Sequence, residues 1–244
     1  MKYTLYKDQE KTKTALSIAI KNNNKVLCYA PTGFGKTILS KNIIDILVSK
    51  NFKVLFTVPR IKLATQTKEK FGYGNLILGN KTNNENSNLS IGSLQSIYSR
   101  QIKDNFDFIF IDECHYSHNS KYINYIFETY PNSKIIGLSA TPIDQDGYLL
   151  QGYDTLVNET TVNELISKKR LTDVGVYTSL VQPKTTDLEI VNGDYNQTKA
   201  SEVLRENKIL SNTITEWEKY GKYLKTLVFA TDIKHANELK IQFN

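Results

Sequence analysis

Two short segments of this chain carry the residue types needed to handle a phosphorylated substrate. The first is Ala30-Pro31-Thr32-Gly33-Phe34-Gly35-Lys36-Thr37; the second is Asp112-Glu113-Cys114-His115, entered from the apolar run Phe108-Ile109-Phe110-Ile111. In the first, Gly33 and Gly35 let the backbone approach an anion closely, so that successive N–H groups and a helix N-terminus point at phosphate oxygens. Lys36 then reaches the β- and γ-phosphates, and the Thr37 hydroxyl is a ligand for Mg²⁺. In the second segment, Asp112 ends a buried strand, where a carboxylate holds Mg²⁺ directly or through water. Glu113 is the natural residue to orient and deprotonate a water attacking the γ-phosphate. Together the segments imply ATP and Mg²⁺. Each alone has a plainer reading: a glycine-bearing turn between strand and helix, and two carboxylates solvating a loop. Ala30 stands where the usual phosphate loop has its first glycine.

Residues of this kind work only if elements hold them at one edge of a sheet. Apolar runs alternate with amphipathic stretches, the pattern of a parallel sheet flanked by helices. Strands are expected over 26–30, 54–58, 76–78, 89–92, 108–112 and 135–139, and helices over 7–20, 36–49, 61–71, 94–98 and 120–130, the last stopped by Pro131. Val-Leu-Phe-Thr-Val at 54–58 is a continuous apolar run, as expected for a strand covered on both faces. The polar stretch 79–88 reads as a solvated surface loop. Beyond Thr141-Pro142 a short helix is expected over 162–169, a strand over 174–180, a connector over 183–196, and a strand and helix over 226–230 and 234–243. Leu210, Ile214 and Trp217 recur at helical spacing before Gly221, a C-cap. Trp217 reads as a core anchor, and His118 and His235 as structural.

Composition bounds the rest. The chain has 244 residues, 40% hydrophobic and 23% charged, enough for one large domain or one domain and part of a second. Its net charge of +6 weakly favours an anionic partner. Two cysteines cannot build a disulfide scaffold or a Cys-rich zinc site. No secretory apolar segment opens the chain, and no apolar run is long enough to cross a bilayer. These features imply the cytoplasm and no membrane partner.

Asp112-Glu113-Cys114-His115, followed by Leu138-Ser139-Ala140-Thr141-Pro142, resembles the DExH (DECH) group of superfamily 2 helicases and translocases. The resemblance implies an α/β, RecA-like ATP-binding domain over 1–170, then a linker and the beginning of an incomplete second RecA-like domain over 171–244. Leu5-Tyr6-Lys7-Asp8-Gln9 is similar to the segment whose glutamine reads adenine, so Gln9 is the expected adenine contact. Val58-Pro59-Arg60 with Leu63 and Gln66 resembles motif Ia, and Ser90-Ile91-Gly92-Ser93-Leu94-Gln95 resembles motif Ib. In the family both line the groove that holds the nucleic-acid backbone, which implicates Pro59, Arg60, Gly92, Ser93 and Gln95. His115, Ser139 and Thr141 are expected to couple the γ-phosphate to that groove; a hydrogen-bonded strand-end turn would also account for Ser139 and Thr141, and a surface charge for Arg60. More loosely, Asp146-Gly147-Tyr148, Glu164-Leu165-Ile166 and Leu227-Val228-Phe229-Ala230 are similar to UvsW-like, branch-migrating phage helicases, implying a bacterial host cell if the chain is phage-encoded.

The implied function is ATP-dependent unwinding or branch migration of single-stranded, forked or branched DNA. Alternatives are the motor subunit of a restriction or repair nuclease complex, or a non-catalytic nucleic-acid-binding fragment. Motif VI, which in the family supplies arginine fingers worth roughly 10³–10⁵ in rate, has no match, so this stretch alone is expected to hydrolyse ATP slowly or not at all.

Overall fold

Residues whose side chains alternate between two apolar environments build the centre of the computed structural model. It describes residues 4–79, 81–83, 85–117, 120–144, 146–177, 184, 186, 188–191, 194–205 and 207–243, and the chain divides into two units, Met1–Asp173 and Val174–Asn244. In the first unit the elements are α1 (Lys7–Asn22), β1 (Lys25–Tyr29), α2 (Lys36–Ser49), β2 (Val54–Val58), α3 (Ile61–Phe71), β3 (Asn75–Leu78), β4 (Lys81–Asn83), β5 (Leu89–Ser93), α4 (Leu94–Ser99), β6 (Phe108–Asp112), α5 (Lys121–Thr129), β7 (Lys134–Ser139), β8 (Thr155–Val157) and α6 (Val162–Ser167).

The sheet order is β4-β3-β5-β2-β6-β7-β1-β8, parallel throughout except for the antiparallel β4. Val26, Cys28, Val54, Phe56, Phe110, Ile136 and Leu138 pack toward Leu16, Leu39, Ile44, Ala64 and Phe71 of α1, α2 and α3. Their neighbours Leu27, Leu55, Ile109, Ile111 and Ile135 face Leu94, Ile97, Ile123 and Ile126 of α4 and α5. Each such side chain stabilises the fold by roughly 1.5–3 kcal/mol on burial. With helices on both faces, every parallel strand delivers its C-terminal end to one edge, where ligands of open α/β sheets bind. This is the RecA-like α/β architecture expected from the sequence.

Local chemistry sets the element ends. Ser93 caps α4 by accepting from Ser96 N at 3.1 Å, and Thr161 and Glu164 form a reciprocal capping box on α6. Gly72, at φ +81°, ends α3.

Several expectations need correction. Residues 81–83, within the stretch read as a solvated loop, form β4 along β3, because the backbone of the sheet's edge strand offers unpaired groups to any extended neighbour. β8 joins the opposite edge without having been anticipated; three residues are too short to show a period. In the second unit, residues 174–177 and 226–230 form no strand, and 178–180 lie outside the described residues. Leu227 is 78% and Phe229 86% exposed: an apolar run becomes a strand only where a sheet edge pairs with it. The connector contains a hairpin, β9 (Ile190–Val191) and β10 (Asp194–Tyr195), followed by α7 (Gln197–Leu204), α8 (Asn207–Tyr220) and α9 (Ile233–Phe243). Trp217 packs edge-on against Phe243 with centroids 5.0 Å apart, and Gly221 N–H closes α8 on the Trp217 carbonyl. His235 is buried and bonds Thr231 at 3.0 Å, while His118 lies outside the described residues.

Candidate nucleotide and nucleic-acid site

The phosphate loop leaves β1 and enters α2 at Gly35, whose φ of +90° a side chain would strain. A Cβ there would also stand 2.6 Å from Gln9 Nε2. Pro31 and Phe34 are buried, Thr32 and Gly33 face solvent, and Lys36 and Thr37 are half-buried in the first turn of α2. Among the described residues no acceptor takes the N–H of Gly33, Gly35, Lys36 or Thr37, so four donors of this loop point outward from the helix N-terminus. Free donors at a helix N-terminus are what an anion site requires.

β7 lies between β1 and β6, yet their loops meet above it. Lys36 Nζ reaches Glu113 Oε1 at 2.8 Å. Glu113 adopts φ +47°, uncommon for a residue with a side chain, and its N–H donates to Asp112 Oδ1 at 3.1 Å. Burial first, and then the Glu113 charge, push the Asp112 carboxyl up to about 6, with Lys36 opposing. Burial also raises the Cys28 and Cys114 thiols to about 12, which leaves them protonated and inert.

From β7, the Ser139 hydroxyl donates to the Thr141 carbonyl at 2.7 Å and accepts from Thr141 N at 2.9 Å. His115 Nδ1 sits 2.9 Å from the same oxygen and 3.5 Å from Glu113 Oε2. The direction of the His115–Ser139 bond follows the imidazole tautomer, since the hydroxyl can both donate and accept. Burial, more than the nearby Lys36, lowers the His115 pKa against the pull of Glu113. His115, Ser139 and Thr141 are thus linked by hydrogen bonds, with Glu113 Oε2 a further 3.5 Å from the imidazole.

Gln9 is 1% exposed. Its Oε1 accepts from Tyr6 N at 2.9 Å, and its Nε2 donates to the Phe34 carbonyl at 2.8 Å, which ties α1 to the phosphate loop. Pro59 and Arg60, past the end of β2, line a cleft of about 270 Å³ with Lys62, Leu63, Glu113 and Tyr116. The motif Ib residues are less accessible than expected. Gly92 and Ser93 are buried and the Ser93 hydroxyl is committed to α4, so of the three only Gln95 presents its side chain to solvent.

Sequence reasoning missed Arg170. Its guanidinium bonds both Asp8 carboxylate oxygens at 2.7 and 2.6 Å and the Phe34 carbonyl at 2.8 Å, and lies over the Tyr6 ring at 4.1 Å. A lone arginine 162 residues from its partner carries no local pattern.

Residues 2–144 match the family model described as the res subunit of Type III restriction enzymes. The chain belongs to that family. This agrees with the superfamily 2 resemblance of its motifs. Among curated proteins, a 51.5 kDa protein of a Lactococcus phage (isolate 7-9) is 27% identical over 216 residues, 88% of this chain and 45% of the phage protein. The chain thus spans about half the length of that relative. Among solved structures, a nuclease-deletion mutant of the Type ISP restriction-modification enzyme LlaGI, in complex with a DNA substrate mimic, aligns with TM-score 0.53 and 18% identity over 69% of this chain and 21% of its own. The UvsW helicase of bacteriophage T4 aligns with TM-score 0.51 and 18% identity over 64% of this chain and 60% of its own. These likenesses establish the shared helicase-type fold. Among the described residues no helix is long and apolar enough to cross a membrane.

Proposed function

We propose that this res-subunit family member is the ATP-hydrolysing first lobe of a DNA helicase or translocase, with residues 171–244 the linker and beginning of a second RecA-like lobe. The observation that carries this reading is the 2.8 Å approach of Lys36 to Glu113 at the shared C-terminal edge of β1, β7 and β6.

The residues present fit ATP with Mg²⁺. The N–H groups of Gly33, Gly35, Lys36 and Thr37 hold phosphate oxygens in the loop that also includes Pro31, Thr32 and Phe34, and Gln9 stands beside it for the adenine. Lys36 exchanges its partner Glu113 for the phosphates, which frees the carboxylate to take a proton from the attacking water. Thr37 and Asp112 would hold Mg²⁺, whose chemistry is charge neutralisation on the phosphoryl oxygens. A change of charge near Glu113 would be felt by His115 and, through Ser139, by Thr141, while Glu113 itself lines the cleft with Pro59 and Arg60. Those residues, with Gln95 and the buried Gly92 and Ser93 backbone, would face phosphate and sugar and so give binding with little base preference.

The test is DNA-stimulated ATP hydrolysis, measured with single-stranded, forked and four-way DNA. Lys36→Ala should lower turnover by at least about a hundredfold, in keeping with the charge stabilisation such a group supplies. Turnover that survives the substitution would place the activity elsewhere. A second reading, the motor subunit of a restriction system, is favoured by the family match itself and by the LlaGI likeness. Addition of a nuclease partner distinguishes it, since only that reading expects ATP-dependent cleavage.

A further inference from the structure

The phosphate loop is supported from outside by residues that no phosphate-loop pattern includes. We infer that Arg170 and Leu171 form a buttress that sets the shape of this loop, making Arg170 a positioning residue for the triphosphate rather than a contact for the base. The inference rests on the reading of the loop as a nucleotide site.

The segment is aimed by its own turn. Lys169, at φ +57°, ends α6 in the left-handed region, and the N–H groups of Arg170 and Leu171 both bond the carbonyl of the buried Leu165, at 2.9 and 3.2 Å. This returns the two side chains to the phosphate loop. Leu171 packs so closely on Gly33 that a Cβ at that glycine would overlap its Cδ2 atom.

Arg170 acts on the next peptide. Its Nη2 and Gln9 Nε2 both donate to the Phe34 carbonyl, each at 2.8 Å, which uses both lone pairs of that oxygen. In a planar trans peptide the carbonyl and the following N–H point to opposite sides. A Phe34 carbonyl held toward Arg170 and Gln9 therefore turns the Gly35 N–H away from them, to the face where the loop's other free donors lie. Asp8 fixes the guanidinium from behind through two bonds, with the Arg170 and Asp8 side chains only 14% and 5% exposed. The planar fork makes these three bonds at once; an ammonium group at the same position cannot.

Because the effect passes through the phosphate cradle, it should be blind to the base. Calorimetric titration of the chain with ATP and with inorganic tripolyphosphate, each with Mg²⁺, tests this directly. Arg170→Ala and Arg170→Lys are expected to weaken both ligands by the same factor, about tenfold, the equivalent of one lost charge-assisted bond. The lysine variant keeps a cation beside Asp8, so it carries the test if the alanine variant melts below the assay temperature. Undiminished tripolyphosphate binding by a folded variant overturns the inference, and loss confined to ATP reassigns Arg170 to the base. If the unsubstituted chain binds neither ligand, the nucleotide-site reading itself fails and this inference with it.

Discussion

Asp112 shows how a single carboxyl can be held ready for a cation at a cost to the fold. Its pKa stands at about 6 instead of 3.8, chiefly through burial. Between those values the folded chain retains a proton that the unfolded chain has released. The stability this group contributes is therefore full below about pH 4 and is lost as pH rises through 6, leaving a deficit of about 3 kcal/mol at neutral pH. Asp112→Asn should raise the thermal midpoint at pH 7.5, with a gain that shrinks toward zero near pH 4. An unchanged midpoint at pH 7.5 would show that the carboxylate costs nothing. The same group explains an expected loss of Mg²⁺-dependent nucleotide binding as pH falls below 6, where Asp112 becomes protonated. Glu113 and Lys36 pair 2.8 Å apart, so the adjacent, half-buried carboxylates of Asp112 and Glu113 have one close cation. The meeting of these two segments was legible from residue type and order. Arg170 was not, because its meaning comes from the Phe34 carbonyl it meets across 136 positions.

At the scale of elements, β7 joins the two halves of the site. It pairs with β1 on one side and β6 on the other, placing Ser139 opposite Tyr29 and Leu138 opposite Asp112. Gly137 is what lets this strand be covered: a Cβ there would overlap the ring and hydroxyl of the half-buried Tyr153. Gly137→Ala should therefore destabilise the chain by about 1–3 kcal/mol, the usual cost of overpacking. Urea unfolding measures it, and a variant as stable as the parent would mean that Tyr153 moves aside freely. The strands flanking β7 could be read from the sequence because each is a continuous apolar run. Leu-Ser-Ala-Thr-Pro from its end onward was legible as a motif, whereas the need for glycine at 137 was not, since Tyr153 arrives from a loop with no periodicity. The 226–230 run shows the converse failure, a strand-like sequence with no strand, for apolarity reports burial potential and not pairing.

For the whole molecule, a net charge of +6 and the proposed backbone-gripping groove make salt the diagnostic variable. Binding to single-stranded DNA should weaken linearly in a plot of log affinity against log salt, with slope about −0.7 per neutralised phosphate, and with little regard to base order. Filter binding over a salt series checks this; affinity retained at high salt, or strong dependence on sequence, would count against a backbone grip. The order of segments along the chain was enough to determine the sheet's parallel character, the phosphate loop, the acidic pair and the family, because each is written in neighbouring residues. Only tertiary structure decided that Ser93 is spent on a helix cap, that His115 meets Ser139, and that a turn near residue 170 touches a loop near residue 34. Hydrogen bonds and exclusion of water act between groups brought together by folding, and nothing in local spacing encodes which distant partner each group will meet.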